Sequence, residues 1–233
     1  MAAKDRYESL DELGKLTVVL LVVEISLQLI YVLTSLLHLR ELNDYIAGRR
    51  SVSADLTPIE TLQGIAAIAL TAIALTLIVV IARWIFRAAW NLRHLGAKRL
   101  DISPGWAVGW YFIPFANLVY PFKAMKEIWL SSHDPSRWRE GSVGLLTLWW
   151  TLWLLSNVIG NIAFRMSLGA DTLEDMRLVE RIGLLHTLFS VPLSLVFIRI
   201  VRTVGAAQQR SHARQTPPEL PELPDPAPDT LAA

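Results

Sequence analysis

Four long apolar runs dominate the pattern of this chain, and most of its charged residues lie between them. Each run is about 20 residues long, the length that an α-helix needs to cross the roughly 30 Å hydrocarbon core of a bilayer. Charged and turn-forming residues lie between the runs. The pattern therefore predicts an all-α, polytopic membrane protein with four transmembrane helices, at residues 16–39, 61–82, 143–164 and 182–201.

The second helix is predicted to continue beyond the membrane. Thr57 and Glu60 have capping-box spacing and Pro58 stands at the first helical position, while Gly96 suits the residue after the helix. At 1.5 Å per residue this helix would be about 57 Å long. Its protruding part carries basic residues that we interpret as anchors for anionic lipid headgroups rather than as a nucleic-acid patch: Arg83, Arg87, Arg93, Lys98 and Arg99.

A fifth apolar stretch, residues 105–122, carries no charge, and the distribution of basic residues decides how it is placed. If it spanned the bilayer, the 22 basic residues would divide equally between the two sides. If it enters and leaves on one side, sixteen fall on that side and six on the other. Cytoplasmic loops carry the excess of Lys and Arg. We therefore predict four spans, both termini cytoplasmic in a bacterial inner membrane, and a re-entrant or interfacial segment at 105–122.

Prolines support this interpretation of the fifth stretch. Pro114 and Pro121 remove backbone donors within it. A broken backbone at membrane depth is tolerated where protein or a wet cavity covers it, so the segment should pack against the four helices. The Asn117 amide would either satisfy carbonyl groups freed by the prolines or bind a ligand.

The sequence divides into three regions. Residues 1–15 form a cytoplasmic N-terminus leading into a retained signal anchor, and residues 16–202 form the membrane domain. Within that domain, residues 121–130 are predicted to form a short helix on the membrane surface. Residues 203–233 are predicted to be a disordered, proline-rich acidic tail.

Composition agrees with a membrane protein and excludes some chemistry. Hydrophobic residues make up 53% of the chain and charged residues 18%, and the mean hydropathy is +0.39. The net charge of +1 indicates no acidic partner. With no cysteine, disulfides, thiolate metal sites and a cysteine nucleophile are excluded.

One motif carries a family resemblance. The pattern W-x-x-x-W-x-F-I-P-x-x-N-L-x-x-P runs from Trp106 through Trp110, Pro114 and Asn117 to Pro121. Trp90-Asn91 precedes it and a tryptophan-rich helix follows. These features resemble the bacterial membrane family known as domain of unknown function 4328. The resemblance implies a multi-helix membrane protein, and it implies no reaction, substrate or catalytic residue.

The first helix carries a polar stripe on one face. Glu24, Gln28 and Tyr31 belong to it, together with Thr17 and Ser35. Glu24 is the one acid well inside a predicted span, where a charge costs at least about 2.5–3.5 kcal/mol. It is therefore either a carboxylate that handles protons or cations, or a hydrogen-bonded residue that holds helices together.

Other intramembrane polar residues admit the same two interpretations. Asn157 and Asn161 lie one turn apart and would hydrogen-bond to the Glu24–Gln28 pair or line a cavity, with interhelical packing favoured. His38 and His186 lie near the outer helix ends, but two histidines without a third ligand are weak support for a haem or metal site. We expect no metal and no cofactor.

Three functional classes remain from the sequence. A non-enzymatic scaffold, accessory or regulatory component is favoured, with a protein partner or a second copy and the lipid bilayer as its contacts. The alternative is a small-solute or ion pathway that uses Glu24 and its polar neighbours. An intramembrane enzyme is disfavoured because no phosphate loop, zincin motif or serine-hydrolase elbow occurs in the sequence.

Overall fold

The computed structural model describes residues 7–52, 55–134 and 141–215, and in these residues every regular element is a helix. Four of the helices are long and apolar enough to cross a membrane, so the protein is a multi-pass membrane protein, as the sequence predicts. The elements are α1 (Asp11–Ile46), α2 (Pro58–His94), α3 (Pro104–Gly109), two 3₁₀ turns (Trp110–Phe112 and Ala116–Leu118), α4 (Tyr120–His133), α5 (Gly144–Ser167) and α6 (Leu173–Gln215).

The predicted ends of α2 are confirmed. The Thr57 hydroxyl accepts a hydrogen bond from the Glu60 N–H at 3.2 Å, and the Glu60 carboxylate accepts one from the Thr57 N–H at 2.7 Å. This capping box satisfies two backbone donors at the start of the helix. At the other end Gly96 has φ +78°, a left-handed conformation that glycine adopts without steric cost.

The long helices pack side by side in the order α2, α1, α6, α5, with α1 and α6 at the centre. The chain reverses direction between consecutive spans, so the start of α1 and the end of α6 lie together, where the Tyr7 and His212 rings stack 4.1 Å apart. We call this end, which also contains α3, α4 and the end of α2, the basic end. The opposite end, where α6 begins, is the acidic end.

The best-packed apolar core lies toward the basic end. Phe197 of α6 contacts Trp84 of α2 and Trp149 of α5, with ring centroids 6.0 and 5.8 Å apart. Beyond these rings, Met125 and Val204 are fully buried. Here α2 and α6 extend past their predicted spans, so burial removes apolar surface from water and stabilises the fold through the hydrophobic effect.

Residues 105–122 begin and end on one side of the bundle. Glu127 in α4 accepts hydrogen bonds from the backbone N–H groups of Asp101, at 2.8 Å, and Ile102, at 3.3 Å. The residues before the segment and those after it are therefore tied together at the basic end. Among the described residues, the four helices long and apolar enough to cross a membrane do not include this stretch, and its re-entrant or interfacial placement stays a prediction.

The path between those two points is broken, as its prolines predict. Helix α3 ends after one and a half turns, and Pro114 lies between the two 3₁₀ turns. Phe115 has φ +63°, a conformation that strains a residue with a side chain. The Tyr111 ring meets Trp153 of α5 edge-on, at 6.3 Å between centroids, so the segment packs against the bundle.

Two predictions from the sequence need correction. Helix α4 packs against protein as well as lying at the surface, and Met125 and Ile128 are almost fully buried. Helix α6 does not end near residue 202 but continues to Gln215, with Val204 and Gln208 fully buried. The polar composition of residues 203–215 concealed a helix face that docks on α2 and α4. The remaining predicted tail, 216–233, and residues 1–6 lie outside the described residues.

Candidate functional site

The centre of the bundle contains a small polar cluster between α1 and α6. It consists of Glu24 and Gln28 on α1 and of Ser190 and Ser194 on α6, and we call these four residues the central polar cluster. Both pairs are spaced four residues apart, so each pair lies on one face of its helix. The sequence had singled out Glu24 and Gln28, whereas the two serines were not recognised.

Hydrogen bonds close this cluster on itself. Gln28 Nε2 donates to Glu24 Oε1 at 2.9 Å, and Ser194 Oγ donates to Glu24 Oε2, also at 2.9 Å. Ser190 Oγ donates to Gln28 Oε1 at 2.6 Å. Each carboxylate oxygen of Glu24 therefore has a protein donor. Two of the three bonds cross from α6 to α1, so the cluster links the two central helices.

Tyr31, which we expected beside Glu24, lies closer to the acidic end. Its hydroxyl packs on Gly183 of α6, where a Cβ would lie 2.5 Å from the hydroxyl oxygen. Ser35 and Glu180 are its polar neighbours. Tyr31 therefore connects the central polar cluster with a second polar group at the acidic end.

This second group, the acidic-end cluster, consists of His38, Glu60, Gln63 and Glu180. One oxygen of Glu180 on α6 lies 3.0 Å from His38 Nδ1 and accepts a hydrogen bond from Gln63 Nε2 at 3.1 Å. His38 Nε2 lies 3.8 Å from Glu60, on the opposite side of the ring. The cluster joins α1, α2 and α6 at the acidic end.

The geometry does not support a metal centre here. The two carboxylates approach opposite nitrogens of the His38 ring, so one ion cannot bind all three groups. Across the described ranges no set of three His, Cys, Asp or Glu side chains is placed to hold a metal ion. His186 has a different partner, Ser156 on α5, at 3.0 Å, so the structure does not bring the two histidines together as ligands.

The asparagines of α5 do not join Glu24 and Gln28. Asn157 and Asn161 are exposed, and their amides donate to backbone carbonyls one turn back on the same helix, at 2.8 and 2.9 Å. Sequence spacing fixed which face of α5 they occupy but not which helix that face meets. Their expected membership of the intramembrane cluster is therefore wrong.

The re-entrant motif forms an aromatic stack. Trp106 stacks on Trp110 at 4.5 Å between centroids, and Trp110 stacks on Tyr120 at 4.3 Å. Pro121 is buried at the start of α4. Asn117 is half-buried, and its backbone N–H donates to the Ile113 carbonyl at 2.9 Å, closing the turn around Pro114. The role of its side-chain amide stays a prediction.

Toward the basic end, apolar side chains follow the central polar cluster. Leu21 lies one turn before Glu24 and is 4% exposed, and Phe197 lies one turn after Ser194 and is also 4% exposed. Trp84 and Ile200 continue this layer and are completely buried. The polar residues that begin at the acidic end thus reach the middle of the bundle, where this apolar layer interrupts them.

A third polar network, which the sequence pattern does not predict, lies beyond that layer. Gln208 of α6 is fully buried; its amide donates to the Ala88 carbonyl at 2.9 Å and to Ser132 Oγ at 3.0 Å. Its oxygen accepts from Asn91 Nδ2 at 2.9 Å, and that same amide donates to the Glu8 carbonyl at 2.8 Å. The network ties α2, α4, α6 and the segment before α1 together. The one feature of the sequence that pointed to this network is the Trp90-Asn91 pair, which belongs to the family resemblance.

The predicted headgroup anchors all lie at the basic end and differ in their contacts. Arg83, Arg93, Lys98 and Arg99 are exposed. Arg87 forms an ion pair with Glu8 at 2.8 Å. The Arg93 guanidinium lies 6.0 Å from the centroid of the Trp90 ring.

The comparison with protein families agrees with this architecture. The family described as Domain of unknown function (DUF4328) matches residues 50–206, about two thirds of the chain. The chain belongs to the DUF4328 family. The match runs from α2 into α6, so it includes the aromatic stack, Ser190 and Ser194 but not Glu24 or Gln28. No curated protein and no solved structure matches the chain significantly.

Proposed function

We propose that this DUF4328 protein is a non-enzymatic component of a bacterial cell membrane that acts as a scaffold, accessory subunit or regulator. The closed hydrogen bonding of the central polar cluster is the main support. Both oxygens of Glu24 accept from protein donors, and Ser190 occupies the oxygen of Gln28. A carboxylate whose two oxygens each already have a protein donor is suited to holding helices together rather than to binding a solute.

The arrangement of the helices supports the same proposal. Within a bilayer, helices associate through close packing and interhelical hydrogen bonds, because lipid is as apolar as the side chains. The cluster fixes the central helices α1 and α6, and α2 and α5 then present apolar faces outward. Ile68 on α2 is 73% exposed and Val158 on α5 is 58% exposed. Such faces are available to lipid, to a partner helix or to a second copy.

The basic end defines the orientation that we propose. Sixteen of the 22 basic residues belong to the side that holds both termini. By the positive-inside rule this side is cytoplasmic, where Arg and Lys meet anionic headgroups. The sequence after residue 215 is rich in proline and acidic residues, a composition suited to binding a partner protein.

A second candidate function is an ion or proton pathway. The observation in its favour is the continuity of polar groups from Glu24 through Tyr31 to His38 and Glu180, along one helix interface. The apolar layer of Leu21, Trp84 and Phe197 argues against it, because it interrupts the route to the basic end.

Transport and stability measurements on Glu24 variants distinguish the two. For the scaffold, reconstituted liposomes should show no proton or monovalent-cation flux above that of protein-free liposomes. Glu24→Gln should unfold like the wild type, because its amide can accept from Gln28 and donate to Ser194. Glu24→Ala should lower the free energy of unfolding by about 1–2 kcal/mol, since interhelical hydrogen bonds contribute about 0.6 kcal/mol each and the shorter side chain leaves a cavity.

Ser26→Ala is the matched control. Ser26 lies on the same helix, and its hydroxyl donates to its own backbone at Val22. It should leave both stability and flux unchanged. A flux that the wild type supports and Glu24→Gln abolishes, with the fold intact, would refute the scaffold proposal and establish the pathway.

A further inference from the structure

A cavity at the basic end opens between α1, α2 and α3. Its volume is about 620 Å³, and Leu13, Phe86 and Val108 contribute apolar lining from the three helices. Two arginines of α2, Arg83 and Arg87, line it as well. The cavity therefore combines apolar walls with positive charge.

The two arginines are not equivalent. Arg87 is neutralised by Glu8, at 2.8 Å, and also donates to the Ser9 carbonyl at 3.4 Å. Arg83 is exposed and makes no ion pair or hydrogen bond within residues 7–52, 55–134 and 141–215. The net positive charge facing the cavity is therefore that of Arg83.

The position of the cavity relative to the bilayer restricts what can occupy it. Arg83 directly follows the apolar run of α2, at the boundary of the hydrocarbon core. The cavity extends from Ala82 to Trp90, about 12 Å along the helix outward from that boundary, so it covers the interfacial and headgroup layer. Tryptophan is enriched in that layer, and the Phe86 and Trp90 rings stack at 6.4 Å.

An apolar track leads from the cavity into the membrane. Val79 lies one turn before Arg83 on the same face of α2, and Ile78 adjoins it; the two side chains are 58% and 53% exposed. An occupant with an anionic head and a hydrocarbon tail would place the head on Arg83 and the tail along Val79. A soluble anion would leave the track unused.

We propose that this cavity binds one anionic phospholipid, with its phosphate on the Arg83 guanidinium. Arginine presents several N–H donors in a planar fork that matches phosphate oxygens. The positive charge of Arg83 complements the headgroup, and the lining of Leu13, Phe86 and Val108 surrounds the glycerol region. The site is independent of the scaffold role and of the central polar cluster.

Phosphatidylglycerol is the probe for the test. The full chain is purified in neutral detergent and titrated with phosphatidylglycerol, phosphatidylcholine or inorganic phosphate, and the bound lipid is counted by native mass spectrometry. We expect one retained phosphatidylglycerol per chain, no retained phosphatidylcholine, and no competition from inorganic phosphate. Competition by inorganic phosphate would identify a soluble-anion site and overturn the proposal.

Two pairs of variants separate a built site from general electrostatic attraction. Arg83→Gln should weaken the affinity for phosphatidylglycerol about tenfold. Arg202→Gln, on α6 at the same end of the bundle, makes the same change of charge at an exposed position outside the cavity lining and should change the affinity less than about twofold. Equal weakening by both variants would overturn the proposal.

The second pair of variants changes no charged residue. A side chain at Gly105, which lines the cavity, would enter open space, so Gly105→Leu should fill the cavity and abolish retention. Gly144 also has open space around it and lies outside the cavity, so Gly144→Leu is the matched control and should retain the lipid. Undiminished binding by Gly105→Leu would show that the lipid binds elsewhere.

Discussion

The buried amide of Gln208 provides the sharpest test of how the basic end is assembled. We consider Gln208→Met, which preserves the length of the side chain and removes its polar atoms. Gln208 is completely buried and participates in three hydrogen bonds, with Asn91, Ala88 and Ser132. Because this network lies beyond the predicted span of α2, water competes for these groups in the unfolded chain.

The size of the effect follows from these contacts. A typical intramolecular hydrogen bond contributes about 0.5–1.5 kcal/mol net, so the loss of three corresponds to about 1.5–4.5 kcal/mol. The partners are not left wholly unsatisfied: Asn91 still donates to Glu8, and Ser132 still donates to the Ile128 carbonyl at 2.6 Å. We therefore expect the free energy of unfolding to fall by an amount near the lower end of that range.

The control is the neighbouring residue. Gln209 is exposed on the same helix, so Gln209→Met makes the same chemical change without breaking the network. Substitutions at such surface positions change stability by less than about 0.5 kcal/mol. Both variants are compared with the wild type by tryptophan fluorescence during unfolding with sodium dodecyl sulfate in mixed micelles, with refolding checked.

A double-mutant cycle with Asn91→Leu adds the pairwise contribution. Asn91 and Gln208 are in direct contact, so their effects should not add, and a coupling of about 1 kcal/mol is expected. If Gln208→Met were no more destabilising than Gln209→Met, the end of α6 would not be docked on α2 and α4. The assignment of residues 203–215 to the folded domain would then be wrong.

Two further predictions concern the middle of the bundle and its topology. Gly183→Ala should destabilise the protein by about 1–3 kcal/mol, because the added methyl group overpacks against the Tyr31 hydroxyl. Adding Tyr31→Phe to the same chain should restore stability, and a failure to do so would contradict the contact. Single cysteines at the exposed Lys98 and Lys126 should react with an impermeant maleimide from one side of a vesicle, and Val52→Cys from the other; labelling of the first two from opposite sides would contradict the re-entrant segment.

The sequence by itself determined the class of the protein and the number of its long apolar helices. Runs of about 20 apolar residues have few structural solutions in a bilayer, because every backbone group must be hydrogen-bonded within the segment. The capping box at Thr57 and Glu60 and the termination at Gly96 are local, so neighbouring residues suffice to specify them. The family motif could also be recognised because it fixes rare residues at set spacings.

Tertiary structure decided which polar residues meet. Glu24 and Gln28 are one turn apart, so their contact was implicit in the helix, but their partners Ser190 and Ser194 lie on a helix more than 160 residues away. Asn157 and Asn161 had equally suitable spacing and instead face outward. Helical periodicity gives the face of each side chain, but not the neighbour of that face.

Tertiary structure also decided where the folded domain ends. Residues 203–215 are polar, and their composition alone suggested the beginning of a disordered tail. They are helical because Gln208 and Ser211 find buried partners on α2 and α4, and because Val204 and Ala207 are buried on the same helix. A polar residue is stable in a core when its hydrogen bonds are satisfied there, and that condition depends on the positions of residues that are distant in sequence.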